Sequence, residues 1–260
     1  MGIEFVFHDK YEEFEGNLIE VIPDIETIKT YYMEFDEKMR LPDLYGKSLK
    51  LSDRQFPDIY AIVKEICYNL DLEVPQVFIY ENLYYEIDSF GVERKWIEIS
   101  SRLISDFTKD EIRFALAREL FKIKFSLTEK YMICNQLIKM LNEDFPNIPM
   151  SENLSRIFQV KYAQWSRCAQ CSADNYGYLA VGNIDVCVNV ILKFIFNNQF
   201  LIDNIDINEY LRDTKEINNL SDVVSTYTKN DEKIPYGQFR IKRLIAFASN
   251  EKTINYFYMR

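Results

Sequence analysis

The sequence predicts a mainly helical α+β fold: one domain in which a small mixed sheet leans on a central helix. Three observations carry that expectation. Only 7 glycines and 7 prolines occur among 260 residues, too few for a turn-rich sandwich. Apolar residues recur at helical spacing through several long stretches, and three short strand-like runs cluster between them. Hydrophobic residues at 48% and aromatic residues at 15% are ample for a folded core.

Taken in order, residues 1–21 open with alternating apolar positions (Ile3, Phe5, Phe7) and read as a strand or arm on the main body. Pro23 and Asp24 start a helix to about Met39, with Ile25, Ile28, Tyr32 and Phe35 as its apolar stripe; Leu41-Pro42 ends it. Ser52 caps a second helix from Asp53 to Leu70, where Ile59, Ile62, Val63, Ile66 and Cys67 recur helically. Val77–Tyr80 and Trp96–Ser100 read as strands, with Tyr84 to Phe90 as a third piece between them.

Helical sequence then runs to about Leu141, Pro146 and Pro149 break it, and a further helix covers Ser151 to roughly Leu179. Val186–Ile202 is apolar, but Asn189, Lys193, Asn197, Asn198 and Gln199 interrupt it, so no membrane span is expected. Acidic, Asn-rich residues 203–222 read as a surface excursion. Tyr236–Asn250 reads as a closing helix with Phe239, Leu244, Ile245 and Ala248 inward. There is no repeat, low-complexity tract or linker. Residues 1–260 therefore read as one domain, an arm and helix over 1–45 and a core over 50–250.

The central helix runs from Thr108 to Lys124. Thr108 is its N-cap, Glu111 is the capping-box partner three residues on, and Asp110 and Glu111 suit the positive end of the dipole. Ile112, Ala115, Leu116, Leu120 and Ile123 bury one face. Beside that face stands Arg118-Glu119-Leu120-Phe121-Lys122. A zinc peptidase carries His-Glu-x-x-His in such a place, two imidazoles one turn apart with a Glu as base. Here only the Glu is present. By itself the motif reads as a solvated helix face with an i,i+3 ion pair.

Net charge of -10 and a pI near 4.8 argue against nucleic acid or an anionic membrane as the partner surface. Five cysteines, with no basic segment leading into an apolar run at Met1–Phe5, fit reduced thiols in a cytoplasmic protein. Cys168-x-x-Cys171 has no second pair for a zinc ribbon and no helix start for a thioredoxin-like pair; it reads as two packing residues. The single histidine, His8, excludes a His-based metal site or a Ser-His triad and reads as a surface residue.

Three separated blocks share one pattern. Pro75–Tyr80, Tyr85–Gly91 and Ile97–Ile104 form the first, Asp110 to Lys122 the second, and Ser166-Arg167-Cys168-Ala169-Gln170-Cys171-Ser172-Ala173-Asp174 the third. Together they resemble the HtpX-like and CAAX-prenyl-protease-type zinc metallopeptidases, of the gluzincin branch of the zincins. The third block is similar to the family's Ser-Arg-x-x-Glu-x-x-Ala-Asp helix, with Gln170 at the position of the third zinc ligand and Asp174 at that of a second carboxylate. A fourth block, Ile234-Pro235-Tyr236 with Arg240, Ile241 and Leu244, resembles the family's closing His-Pro box, with Ile234 replacing the His.

The resemblance implies a zincin-like domain and its cleft, while the substitutions argue against the family's reaction. Arg118, Lys122 and Gln170 stand at all three ligand positions, and two cations facing a Zn²⁺ site repel the ion. No metal or other cofactor is expected. Arg118 and Lys122 are expected to fill the metal's volume and pair with Glu119 and Asp174, because buried carboxylates need compensation. The expectation is a catalytically inactive peptidase homologue that binds a peptide or protein. An active metallopeptidase relative is one such partner. The edge segment would carry the ligand by β-augmentation, with Tyr84, Tyr85, Phe90 and Trp96 as anchors. The alternative is an enzyme with zinc-independent chemistry that uses Glu119 and Lys122 as an acid–base pair.

Overall fold

The computed structural model describes residues 3–22, 24–143, 149–212 and 235–259. Among them the fold is mainly helical with one four-stranded mixed sheet, as the composition implies. The strands are β1 (Leu49–Lys50), β2 (Gln76–Tyr80), β3 (Ile87–Phe90) and β4 (Trp96–Ser100), ordered β1-β2-β4-β3. β2 and β4 run parallel with Val77 opposite Ile97, and β3 closes the edge antiparallel to β4 with Ser89 opposite Ile97. Strand alternation divides the side chains between two faces. Val77, Ile79, Ile97 and Ile99 enter the main core, whereas Phe78 and Trp96 pack with Leu44 on the other side.

The helices are α1 (Tyr11–Ile19), α2 (Ile25–Tyr31), α3 (Lys38–Lys47), α4 (Pro57–Leu70), α5 (Ser101–Asp106), α6 (Lys109–Lys124), α7 (Leu127–Glu143), α8 (Pro149–Val181), α9 (Ile184–Phe196), α10 (Gln199–Asp203), α11 (Ile207–Arg212), α12 (Gly237–Ala248) and α13 (Glu251–Met259). α6 is the hub: it lies along α8 and also meets α4, α7, α9 and β3. Its capping box is complete. Thr108 Oγ1 accepts from the Glu111 N–H and Glu111 returns a bond from the Thr108 N–H. Glu111 then does a second job that sequence alone did not reveal. It accepts from Asn189 at 2.6 Å and pairs with Lys193 at 2.9 Å, which explains two polar residues inside the apolar helix α9.

Several boundaries differ from the sequence reading. Residues 4–6 form a 3-10 turn followed by α1, not a strand, because Phe7 packs on Phe121 and Phe125 instead of pairing with a sheet. Leu41-Pro42 does not end a helix. A π-helical turn, Tyr32–Glu37, precedes α3, and burial of Leu44 beside Phe78 and Trp96 draws the chain past the proline in helical form. Ser52 caps a tight turn, accepting from Arg54 and Gln55, and α4 starts later with Pro57 at its first turn. Only Ile87–Phe90 of the edge segment is strand. Within residues 203–222, Ile207–Arg212 are helical, and 213–222 lie outside the described residues. On α12 the buried positions are Gly237, Arg240, Ile241 and Leu244, whereas Ile245 is exposed.

α6 and α8 approach closely at Gly177. A Cβ there would come within 2.7 Å of the Phe114 ring and 3.1 Å of Arg118 Cγ. The missing side chain leaves room for the Arg118 stem, which sets up the centre described next.

Candidate functional site: a buried charge centre

α6 presents Arg118, Glu119 and Lys122 toward α8, β3 and α7. All three are buried, at 5%, 0% and 4% exposure. Arg118 donates from Nε to Asp174 Oδ1 at 2.7 Å and from Nη2 to Gln170 Oε1 at 2.7 Å. Lys122 donates to Glu119 Oε1 at 2.7 Å. Four of the residues singled out from sequence thus meet in two pairs, and Gln170 joins the first.

Arg240, from α12, was not singled out as a site residue, although its helix block was noted. Its Nε donates to Asp174 Oδ2 at 2.9 Å and its Nη2 to Oδ1 at 2.8 Å, a bidentate clamp. Asp174 therefore sits between two guanidiniums. Burial would raise its pKa, but Arg240 and Arg118 overrule that and hold it below the ordinary carboxylate range. A sequence signal existed: Arg240 lies within the apolar stripe Gly237–Ile241–Leu244, where an unpaired cation would be costly.

Ser89, on edge strand β3, was also missed. Its backbone N–H donates to Glu119 Oε2 at 3.0 Å and its hydroxyl donates to the same oxygen at 2.9 Å. That hydroxyl in turn lies 2.7 Å from Thr128 Oγ1 on α7. Behind Gln170, whose amide donates to Tyr131 Oη at 3.2 Å, Tyr131 is tied to Ser166. Glu119 consequently spends both oxygens on protein donors, and the outward N–H of β3 at Ser89 is occupied from within.

Asp88, an exposed residue of β3, feels the charges of the same cluster. Part of it reaches solvent, yet the recessed setting and the Glu119 carboxylate push its pKa up to about 6, against the pull of Lys122 and Arg118. The sequence reading passed over it because nothing local marks an edge-strand aspartate as the neighbour of a helix thirty residues away.

The four aromatics proposed as peptide anchors do not share one surface. Tyr84 is 60% exposed at the β2–β3 loop. Phe90 is half-buried and stacks on Trp96. Tyr85 is buried with its hydroxyl on Asp106, and Trp96 is buried with Nε1 donating to Glu98 at 2.9 Å. Tyr85 and Trp96 are core residues.

His8 is half-buried and not a free surface group. Its N–H donates to Ser172 Oγ at 2.9 Å, and burial, then the Arg243 cation, push its pKa down to about 4. Cys168 and Cys171 are buried thiols, with burial pushing their pKa values up to about 11 and about 12. Ile234 lies outside the described residues.

Similarity to known proteins gives a class before it gives a relative. The chain has a distant metallopeptidase-like relationship. A similar protein is the plastoglobule-localized metallopeptidase 48, chloroplastic, of Arabidopsis thaliana, 19% identical over 219 residues, a match that covers 83% of this chain and 62% of that protein's length. No protein-family model matches the chain, and no solved structure matches it.

A metal of the kind such a name implies needs neutral or anionic donors. Arg118 and Lys122 have no lone pair to offer as cations, and Gln170 already gives its carbonyl to Arg118. The residues at this centre do not fit a metal. Among the described residues no group of three or more His, Cys, Asp or Glu is placed to hold one. Among the same residues no helix is long and apolar enough to cross a membrane.

Proposed function

We propose that this chain is a catalytically inactive metallopeptidase homologue, a pseudo-peptidase with a zincin-like core of the HtpX and CAAX-protease type, that binds a peptide or protein. One observation carries the reading: the cations at the ligand positions are consumed by an internal network, Arg118–Asp174–Arg240 and Lys122–Glu119–Ser89. A dication would have to displace two fixed cations there. Glu119 is likewise engaged on both oxygens, so it has no free acceptor aimed at a substrate water. The same pairing speaks against Glu119 and Lys122 as an acid–base couple, since each neutralises the other out of reach of solvent.

Peptide or protein binding rests on the surface around β3. Tyr84 and the neighbouring Leu83 stand exposed there, and Phe90 flanks the strand. With the Ser89 N–H already bonded, an added strand would pair with the remainder of β3 and not across Ser89. An active metallopeptidase relative is the partner this reading favours, in a reducing compartment such as the cytoplasm that keeps the five buried thiols reduced.

Metal analysis of purified protein after zinc loading tests the core of this reading. The native chain is expected to hold no stoichiometric zinc. The variant Arg118→His/Lys122→His/Gln170→Glu, which rebuilds a donor set, is expected to take up one ion. Stoichiometric zinc in the native chain, or chelator-sensitive cleavage of a casein digest by it, would sink the proposal. Tyr84→Ala is expected to weaken capture of labelled casein peptides with the fold unchanged; equal capture would remove the β3 surface from the account.

A further inference from the structure

One face of α8 further round from the charge centre, the turn before α1, the middle of α8 and the start of α12 line a cavity of about 360 Å³. Its lining is cationic at one set of positions and apolar at another. Lys10, Arg167 and Arg243 supply three positive side chains, and among the described residues no carboxylate lines it; Asp9 lies nearby. Phe14, Tyr236 and Phe239 supply aromatic wall, and the Cys168 and Cys171 thiols close the apolar side. Such a balance is unexpected in a chain whose net charge is -10.

His8 adds an imidazole to the lining. Its Nδ1 accepts from the Lys10 N–H at 3.1 Å, which leaves the ring proton on Nε2 in the neutral imidazole. Gln164 contributes a primary amide to the same lining. Three cations, an imidazole and an aromatic wall converging on one concavity match a ligand with a charged head and an apolar body. Unlike Arg118 and Arg240, Lys10 and Arg243 are exposed, so a ligand reaches them without unfolding the core.

We propose that this cavity, lined by Lys10, Arg167, Arg243 and His8 against Phe14 and Phe239, binds a small organic anion with an apolar body. A medium-chain carboxylate or an alkyl phosphate monoester has the required chemistry. The site is separate from the pseudo-peptidase reading: it uses none of the residues of that centre, and it stands or falls without it.

The test titrates the full chain with four probes, octanoate, octyl phosphate, octanol and inorganic phosphate, by calorimetry and ligand-observed NMR. At least one of the two amphiphilic anions is expected to bind at one per chain, and whichever binds identifies the head group. Octanol and inorganic phosphate are each expected to bind about tenfold or more weakly, because each lacks half of the match. Arg243→Gln and Lys10→Gln are expected to weaken the anion several-fold with unchanged circular dichroism. Location is read independently: the bound anion should slow alkylation of Cys168 and Cys171 by N-ethylmaleimide, mapped by mass spectrometry. Octanol binding as well as octanoate, phosphate binding as well as octyl phosphate, unchanged affinity in both variants, no saturable binding of either anion at millimolar concentration, or unprotected thiols would each overturn the proposal.

Discussion

On one face of α8, Gln170 and Asp174 meet Arg118 and Arg240, and every charge there is matched by a partner within 2.9 Å. One face further round, Arg167, Cys168 and Cys171 border a cavity in which cations converge with no lining carboxylate among the described residues. The same helix thus carries a closed electrostatic knot and an open basic pocket. The difference is one of supply. A buried guanidinium without an anion is too costly to persist, so the fold brings Asp174 to it, whereas the exposed Lys10 and Arg243 are solvated by water whether or not a ligand is bound. Internal ion pairs of this kind are weak evidence for stability.

The comparison breaks most easily at Asp174. Asp174→Asn leaves Arg118 and Arg240 buried without their shared anion, and should cost about 3–5 kcal/mol in urea unfolding at pH 7. The triple change Arg118→Met/Asp174→Leu/Arg240→Met should recover most of that loss. A near-native Asp174→Asn protein would show that the knot is not energetically coupled. The pH dependence has a fixed sign. Because the folded-state pKa of Asp174 is depressed, its stabilisation is present above the ordinary value of 3.8 and is lost as pH falls through the lower folded value.

Next in size is Gly177→Ala. The added methyl meets Phe114 and the Arg118 stem, so α6 and α8 must part or Arg118 must shift, at about 1–3 kcal/mol. Unchanged thermal unfolding would mean that this face is looser than its distances imply.

On the pocket face, His8 provides a smaller, pH-gated effect. Its pKa falls from 6.5 to about 4 on folding, so its contribution is complete above pH 6.5 and fades as pH drops toward 4. His8→Gln should flatten the difference in melting temperature across that window, and parallel curves for the two proteins would contradict it. The smallest effect belongs to Asp88, whose folded pKa is raised to about 6. Its ionisation opposes folding, so from this group stability declines as pH rises from 3.8 to 6. Asp88→Asn should leave acid stability alone and raise the melting temperature slightly at pH 7; a drop there would mean the carboxylate is a needed counter-charge.

How much was readable in advance depended on range. The Thr108–Glu111 capping box, the strand Trp96–Ser100 and the start of α6 were legible because their causes lie within a few residues. Spacing also placed Arg118, Glu119 and Lys122 on one helix side. The resemblance then suggested Gln170 and Asp174 as their neighbours, and the contacts Arg118–Asp174 and Lys122–Glu119 are present. Arg240 and Ser89 were not legible as partners, being 66 residues from Asp174 and 30 from Glu119. The burial of Tyr85 and Trp96 was not legible for a related reason: aromatic composition shows that a residue wants burial or a partner, not where it finds one.

By itself the sequence determined the helical class, the hub helix and the placing of two cations, Arg118 and Lys122, beside Glu119 on it, since each follows from residue type and local spacing. Tertiary structure alone decided where those cations find their anions, which edge-strand amide Glu119 occupies, and that α1, α8 and α12 surround a basic hollow. Those outcomes depend on which distant segments pack together, and packing is settled by the burial of whole faces, a sum no short stretch of chain contains.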